Sequence, residues 1–284
     1  MKYTCFKYDI KAKVAHIQMC RPDEFNSMNR VFWSELPDLV ESISNEASAR
    51  VIILSAQGKH FCAGMDLANF APSTTKPKAH FGMRKESAFR GTLDLQHTIS
   101  CLEKARIPVI SAIQGACVGG GVDLATATDI RYCTKDAFFC IQEINIGLAA
   151  DVGTLQRLPH LIPEGLVREL AYTGRRMSAD EALHYGLVNR VLPDHDALLK
   201  SVNEVAAQIA TKAPLAVFGS KRMINYTRDH TTADSLDYIR VWNASMLQPE
   251  DMIEAMAANV EQRSAEFSEL PKISDNTIGR ESFP

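Results

Sequence analysis

The chain has 284 residues, of which 46% are hydrophobic and 23% are charged, and this allows one principal domain with a large core and a smaller appendage. Its formal net charge of -3 gives no general attraction to nucleic acid or to an anionic membrane, so neither is expected as a partner. Because no run of about eighteen apolar residues occurs, membrane insertion is not expected.

The cysteines and the two chain ends predict a cytoplasmic protein. The seven cysteines are odd in number and form no C-x-x-C pair, which argues against a disulfide framework and against a zinc site, and no metal is expected. Residues 1–10 carry neither a long apolar stretch nor an Arg-rich amphipathic pattern. The last residues, Glu281 to Pro284, are not a peroxisomal S-K-L signal.

Strand and helix patterns alternate along the first part of the chain. Residues 49–56 (ARVIILSA) form a continuous apolar run rich in β-branched residues, which is typical of a strand buried on both faces. Related patterns predict further strands and amphipathic helices, the strands at 14–19, 108–113 and 130–133 and the helices at 32–44 and 93–103.

From residue 163 onward the pattern is mainly helical. Ser178 and Glu181 have capping-box spacing and predict a helix start. Other helices are predicted at 164–172, 196–211 and 235–263, and a mobile loop is predicted at 71–81, where prolines and hydroxyls concentrate. We therefore expect an α/β core over 1–195, a helical region over 196–265, and a tail over 266–284 that lacks periodicity and is predicted to be disordered.

Four segments are candidates for chemistry. Residues 21–29 (RPDEFNSMN) alone are best interpreted as a strand-to-helix connection. Residues 58–67 (GKHFCAGMDL) include a small pair, Ala63-Gly64, that lets backbone approach a ligand and could aim the Met65 amide into a site. An ordinary turn capped by Asp66 explains the same residues equally well.

The third segment, residues 114–124 (QGACVGGGVDL), places three glycines before a predicted helix, where backbone amides favour negative charge. Close packing of helix on strand also explains such a triplet. The fourth segment, residues 142–158, holds Glu143 and Asp151, which could converge as proton donor and acceptor. Structurally, Glu143 could instead pair with an arginine, and Asp151 could cap the helix that follows.

In this order and spacing, the four segments resemble the crotonase, or enoyl-CoA hydratase/isomerase, superfamily over residues 10–265. The resemblance implies an α/β fold, a crotonase-like spiral of repeated β-β-α units with a C-terminal helical region used for trimerisation. It implies an acyl-CoA thioester as substrate, with coenzyme A as part of that substrate and no separate cofactor. It also implies self-association as a trimer or a dimer of trimers.

The resemblance assigns roles to individual residues. The amides of Met65 and Gly120 correspond to the oxyanion hole, and substrate contacts are implied for their neighbours Ala63, Gly64, Asp66, Leu67 and Gly121. Hydratases carry a glutamate where this chain has Asp123, and a glycine where it has Asp151. With GGGVDL followed by EINIGLAADVGTLQRLP, the chain looks more like the Δ3,5-Δ2,4-dienoyl-CoA isomerases, which implies Asp123, Glu143 and Asp151 as the catalytic acids.

The main hypothesis is therefore a 3,5-dienoyl-CoA isomerase of fatty acid β-oxidation, with Asp151 as base at C2, Glu143 as acid at C6 and Asp123 orienting or tuning the pair. An enoyl-CoA hydratase using Asp123 and Glu143 is the nearest alternative. A non-catalytic acyl-CoA-binding or RNA-binding relative is an alternative of another class, because a fold does not fix a function. A hydrolase is disfavoured because no activated serine or cysteine arrangement is present.

Overall fold

The computed structural model describes residues 3–70 and 80–273 of the chain, without the side chains of residues 67 and 70. The predicted mobile loop at 71–81 lies outside these ranges except for its last two residues. Residues 274–284 of the predicted tail lie outside them as well.

Nine strands within these ranges form two sheets. They are β1 (Phe6–Lys11), β2 (Val14–Met19), β3 (Val51–Ala56), β4 (Val109–Ile113), β5 (Ala116–Val118), β6 (Ile130–Thr134), β7 (Phe138–Cys140), β8 (Met177–Ser178) and β9 (Arg190–Leu192). The larger sheet has the order β1-β2-β3-β4-β6-β9, and all its neighbouring strands are parallel except β1 and β2. The strands predicted at 14–19, 49–56, 108–113 and 130–133 correspond to β2, β3, β4 and β6.

Ten α-helices connect and cover the strands in the described ranges. They are α1 (Phe32–Asn45), α2 (Phe81–Lys104), α3 (Gly120–Ala127), α4 (Thr154–Arg157), α5 (Glu164–Thr173), α6 (Ala179–His184), α7 (His195–Ala210), α8 (Pro214–Asp229), α9 (Thr232–Met246) and α10 (Pro249–Glu261). The predicted capping position is confirmed, because the Ser178 side chain accepts a hydrogen bond from the Glu181 amide at the start of α6. No helix among these residues is both long enough and apolar enough to cross a membrane.

The central strands β3 and β4 are buried at every position. On one face Val51 and Ile53 pack in a cluster with Leu198 and Val202 of α7. On the other face Ile52 and Leu54 belong to the main core, to which α1 and α2 also contribute. Burial on both faces explains why these strands read as unbroken apolar runs instead of alternating ones.

The smaller sheet has the order β5-β7-β8. Its β5 edge is extended by an isolated bridge between Cys62 and Cys117, and a further bridge joins Met28 to Met65. These pairings bring the sequence segments at 21–29, 58–67 and 114–124 side by side, although they are far apart in the chain. The sheet therefore forms the wall on which the candidate site is built.

Two helix predictions differ from the structure. The helix predicted at 235–263 is two helices, α9 and α10, because Pro249 cannot continue a helix and stands at the first position of α10. The helix predicted at 93–103 begins already at Phe81. Its first turns are exposed, so they lack the apolar stripe that identified the second half.

Candidate active site

A cavity of about 660 Å³ lies where the four sequence segments meet. Seven of the predicted site residues line it: Ala63, Gly64, Met65, Asp66, Gly120, Glu143 and Asp151. Glu24, Phe25 and Ser27 of the first segment also line it, so that segment is more than a connection between a strand and a helix. The volume lies in the range of small-molecule sites.

Two backbone amides face this cavity without a protein acceptor. Within residues 3–70 and 80–273, neither the Met65 amide nor the Gly120 amide donates a hydrogen bond to the protein. Gly64 has a φ of 87°, and a Cβ placed on it would lie 2.8 Å from the Val118 carbonyl and 3.4 Å from the Gly120 nitrogen. The two loops therefore approach so closely that only glycine fits, and they offer adjacent donors to an oxygen carrying negative charge.

Glu143 opens a short 3₁₀ turn directly after the smaller sheet. Its carboxylate lies over the glycine turn, since a Cβ on Gly119 would come within 3.2 Å of Glu143 Oε1. Burial raises the pKa of Glu143 to about 7, and the negative charges of Asp123 and Asp151 act in the same direction. Among the described residues no arginine or lysine lowers the pKa of Glu143, so a protonated carboxyl is available near neutral pH.

Asp151 enters the cavity from the turn that precedes α4. Its side chain is exposed to the cavity and forms no hydrogen bond or ion pair with any residue in the described ranges. It does not cap α4, whose N-cap is Gly153. Its negative charge contributes to the raised pKa of Glu143, which places the two carboxyls within electrostatic range of each other.

Asp123 and Gly121 lie behind the cavity wall. Asp123 is fully buried, and its Oδ1 accepts hydrogen bonds from the Thr154 amide at 2.6 Å and the Thr154 hydroxyl at 2.7 Å. Burial raises the pKa of Asp123 to about 6, although these two bonds oppose the shift. Gly121 packs beneath, where a Cβ would lie 2.9 Å from the Cys62 carbonyl. Neither residue lines the cavity.

The residues after Met65 have local structural roles as well. Asp66 Oδ1 accepts the Ala68 amide at 2.9 Å, which begins a short 3₁₀ helix at Leu67–Phe70. The proposed turn-capping role of Asp66 is therefore present beside its place in the cavity wall. The side chain of Leu67 lies outside the described part of the structure.

Several cavity residues carry no recognisable sequence motif. Trp33, Ile146, Leu148 and Val152 give the cavity an apolar part suited to an acyl chain. The Arg176 guanidinium lies 4.2 Å from the centre of the Phe138 ring, and both residues line the same cavity. Only the pairing of β7 with β8 brings these last two together, so spacing along the chain gives no signal for them.

A second cavity, of about 720 Å³, lies behind the turn that carries Asp151. It is lined by charged groups that include Glu103, Arg157 and Arg228, and Glu103 pairs with both arginines. None of the predicted site residues lines it. The predicted site residues that line a cavity therefore line the first one and not this one.

The sequence and the fold are similar to those of known proteins. The enoyl-CoA hydratase/isomerase family model matches residues 9–270. The chain belongs to this family. It is 47% identical over 262 residues to the mitochondrial Δ(3,5)-Δ(2,4)-dienoyl-CoA isomerase of Pongo abelii, a match that covers 90% of this chain and 80% of the relative.

Other members of the family are similar over comparable lengths. The peroxisomal Δ(3,5)-Δ(2,4)-dienoyl-CoA isomerase of Arabidopsis thaliana is 40% identical, with 91% of this chain and 94% of that protein covered. The solved structure of enoyl-CoA hydratase from Bacillus anthracis superposes with a TM-score of 0.83 at 31% identity, covering 95% of this chain and all of that one. The predicted crotonase-like α/β fold is confirmed.

The prediction of a cytoplasmic protein is wrong, because these relatives are mitochondrial and peroxisomal proteins. The prediction depended on reduced cysteines and on the absence of recognisable address patterns. Buried thiols in a core show only that no disulfide stabilises the fold, and more than one compartment keeps thiols reduced.

Proposed function

We propose that this member of the enoyl-CoA hydratase/isomerase family is an isomerase that converts 3,5-dienoyl-CoA to 2,4-dienoyl-CoA in fatty acid oxidation. The observation that carries the proposal is the arrangement of the cavity: free amides of Met65 and Gly120 on one side, and the carboxyls of Glu143 and Asp151 facing the same space. Isomerases of this specificity are 40–47% identical to the chain over most of its length.

The proposed reaction moves one proton along a conjugated chain. Asp151 removes a proton from C2, and the resulting dienolate spreads its charge over the thioester oxygen, C2, C4 and C6. Met65 and Gly120 donate to that oxygen, and each such donor contributes about 2.7–4 kcal/mol if side-chain donors elsewhere are a guide. Glu143 then delivers a proton to C6, so that the double bonds come to lie at C2 and C4.

The carboxyls return to their starting state when a proton passes from Asp151 back to Glu143, directly or through solvent. No net proton, water or electron is consumed, so the reaction needs no second substrate. The raised pKa of Glu143, about 7, suits a group that gives and regains a proton near neutral pH.

The position of Asp123 separates this proposal from the hydratase alternative. A hydratase needs two carboxylates around an attacking water, and the second of them would here be Asp123. Asp123 is fully buried and does not line the cavity, and its Oδ1 accepts hydrogen bonds from the amide and the hydroxyl of Thr154. We therefore assign Asp123 a structural role, in which it holds Thr154, and we assign the proton transfers to Glu143 and Asp151.

A non-catalytic relative is the less economical alternative. Binding an acyl-CoA needs no carboxyl in an apolar surrounding, where burial works against its charged form. Four carboxylates and a single guanidinium, that of Arg176, line the cavity among the described residues, so the cavity does not attract a nucleic-acid backbone.

We also propose that the chain assembles as a trimer or a dimer of trimers. The C-terminal helices α9 and α10 expose large apolar side chains, among them Val241, Ile253, Met256 and Val260, each more than half exposed. A concentration of exposed apolar side chains on neighbouring elements of the sequence is typical of an interaction site in soluble proteins. An assembly through these helices would cover it.

Purified protein offered 3,5-dienoyl-CoA and, separately, 2-enoyl-CoA tests the activity. Isomerisation creates a dienoyl thioester in full conjugation and increases ultraviolet absorbance, whereas hydration removes a conjugated double bond and decreases it. We expect turnover of the dienoyl substrate to exceed hydration clearly. If hydration is the dominant reaction, the protein is an enoyl-CoA hydratase and the proposed function is wrong.

A further inference from the structure

We propose that Gln96 and Thr154 are positioning residues that aim the carboxylate of Asp151 at the substrate. The inference deepens the proposed isomerase function and depends on it. Gln96 lies on α2 and Thr154 is the first residue of α4, on opposite sides of the turn 151–153. Neither is required to touch the substrate.

The need for positioning follows from the surroundings of Asp151. Its carboxylate has no hydrogen-bond partner among residues 3–70 and 80–273, so its direction is set by its own backbone. A catalytic base must stay within hydrogen-bond reach of the proton that it removes. Whatever fixes the backbone of residues 151–154 therefore fixes the geometry of the reaction.

Gln96 fixes one end of the turn. Its side-chain amide donates to the carbonyl oxygen of Asp151 at 2.7 Å, which ties the backbone of the base to the long helix α2. The second half of that helix is anchored in the core by Ile99 and Leu102. The carbonyl of Asp151 is thus held against a rigid element.

Thr154 fixes the other end. Its amide and hydroxyl both donate to Asp123 Oδ1, at 2.6 and 2.7 Å. Asp123 Oδ2 is buried without a hydrogen-bond partner in the described structure. All the hydrogen bonds of this carboxylate are therefore made through Oδ1 to Thr154. A buried carboxylate is costly unless its hydrogen bonds are specific, and here they satisfy the first amide of α4.

The middle of the turn is held from behind. Gly153 has a φ of 135°, and any side chain there would overlap the Arg157 guanidinium. Arg157 donates to Ser100 at 2.9 Å and to Glu103 at 3.1 Å, both on α2. The turn therefore has contacts with α2, α3 and α4, and only the side chain of Asp151 projects freely from it.

This arrangement also explains an acidic residue at position 123, which does not line the cavity. An asparagine side chain at 123 can still accept from the Thr154 amide and hydroxyl, whereas an alanine cannot. If Asp123 acts through Thr154, Asp123→Asn keeps most of the turnover. If Asp123 itself transfers a proton, asparagine and alanine are equally damaging.

The experiment measures kcat and KM of isomerisation for Gln96→Leu and Thr154→Val, with Thr154→Ser as the conservative rescue. We expect kcat to fall about 10–100-fold in the first two, because a small misplacement of a catalytic group has that effect. KM should stay within about twofold, since the backbone amides that bind the thioester are untouched. Thr154→Ser should remain close to wild type.

Combination with Asp151→Asn separates positioning from general damage. Once the carboxylate base is absent, its orientation no longer affects the rate. The kcat of Gln96→Leu/Asp151→Asn should therefore lie within about twofold of the kcat of Asp151→Asn. His97→Gln, on the neighbouring exposed position of α2, is the matched control and should leave both backgrounds unchanged. Independent, multiplying losses would overturn the inference, as would wild-type kcat in Gln96→Leu and Thr154→Val.

The two proposals fail in different ways. If wild-type protein does not isomerise 3,5-dienoyl-CoA, the proposed function is wrong. If it does, and Asp151→Asn is impaired while the positioning variants keep full kcat, the function stands and the inference falls. Thermal unfolding of each variant shows whether a loss comes from an unfolded protein, and Asp123→Asn provides a test that retains the hydrogen-bond acceptor.

Discussion

At the level of single residues, burial keeps a proton on the Glu143 carboxyl up to about pH 7. Glu143 has no cationic partner among the described residues, and its pKa is raised to about 7 by burial first and by the charges of Asp123 and Asp151 second. An acid at C6 must be protonated at the start of the reaction. The protonated fraction of Glu143 therefore decreases as the pH rises through about 7.

This gives a pH dependence with a definite sign. We expect kcat/KM for 3,5-dienoyl-CoA to be level below pH 7 and to fall about tenfold per unit above it, as the acid loses its proton. Steady-state rates between pH 5.5 and 9 measure the profile. A rate that instead rises through pH 7 would mean that Glu143 acts as a base, with the roles of Glu143 and Asp151 exchanged.

The same burial has a cost in stability. The fold favours the protonated form of the Glu143 carboxyl. The contribution of Glu143 to the free energy of unfolding is therefore fully present below its ordinary pKa of 4.5 and is lost as the pH rises through 7. Glu143→Gln removes this loss. We expect the variant to be more stable than wild type by about 1–3 kcal/mol at pH 8 and equally stable near pH 4.5.

Chemical unfolding at the two pH values measures the difference. Glu204→Gln, an exposed change on α7, is the control and should show none. A Glu143→Gln protein that is less stable than wild type at pH 8 would indicate that the carboxylate has favourable partners in the native state. Such partners would also remove the physical basis for the proposed role of Glu143 as an acid.

At the level of elements, the long and strongly patterned segments were predictable and the short ones were not. The apolar run at 49–56 predicted β3, because a strand buried on both faces needs no polar position. Strands β5, β7 and β8 have two or three residues each, too few for any periodicity. They exist because they pair with one another, which is a property of the folded chain.

The residues of the site could likewise be predicted only in part, because some of their contacts exist only in the folded chain. Met65, Gly120, Glu143 and Asp151 belong to sequence motifs that mark a family, and they meet in one cavity. Asp123 belongs to the same motif but lies behind the wall, because α3 turns its side chain toward Thr154. Gln96 lies 55 positions before Asp151, and nothing in the local pattern of α2 indicates that contact.

The pairing of the two loops at the proposed oxyanion hole leads to a prediction about the Met65 backbone amide. The Met65 amide has no acceptor among the described residues, so removing it should disturb catalysis more than folding. We expect Met65→Pro to lower kcat about 100–1000-fold, as loss of one oxyanion donor does elsewhere. Met65→Ala keeps the amide and should stay within about threefold of wild type, a much smaller effect than loss of the donor.

Circular dichroism and thermal unfolding accompany the rate measurement, because proline also restricts the backbone of Gly64. A folded Met65→Pro protein with full turnover would contradict the assignment of this amide to the oxyanion hole. If Met65→Ala loses as much activity as Met65→Pro, the thioether side chain is the important group and the amide is not.

At the level of the whole molecule, the C-terminal helices are exposed in a way that a single chain does not explain. Val260 is 82% exposed and Ile253 is 66% exposed, on a helix whose only fully buried residue is Ala258. Surface of this type is costly in water and marks an interface. Symmetric assembly would bury it at once in every copy.

We therefore expect light scattering at micromolar concentration to give about three or six times the chain mass of 31.4 kDa. The double variant Ile253→Lys/Val260→Lys places charge on this surface and should shift the protein toward the single-chain mass, because burying an unpaired charge is strongly unfavourable. Leu183→Lys, at a 44% exposed position of α6, is the matched control and should leave the mass unchanged. A wild-type mass near that of one chain would remove the proposed assembly, and an unchanged mass in the double variant would place the interface on another face.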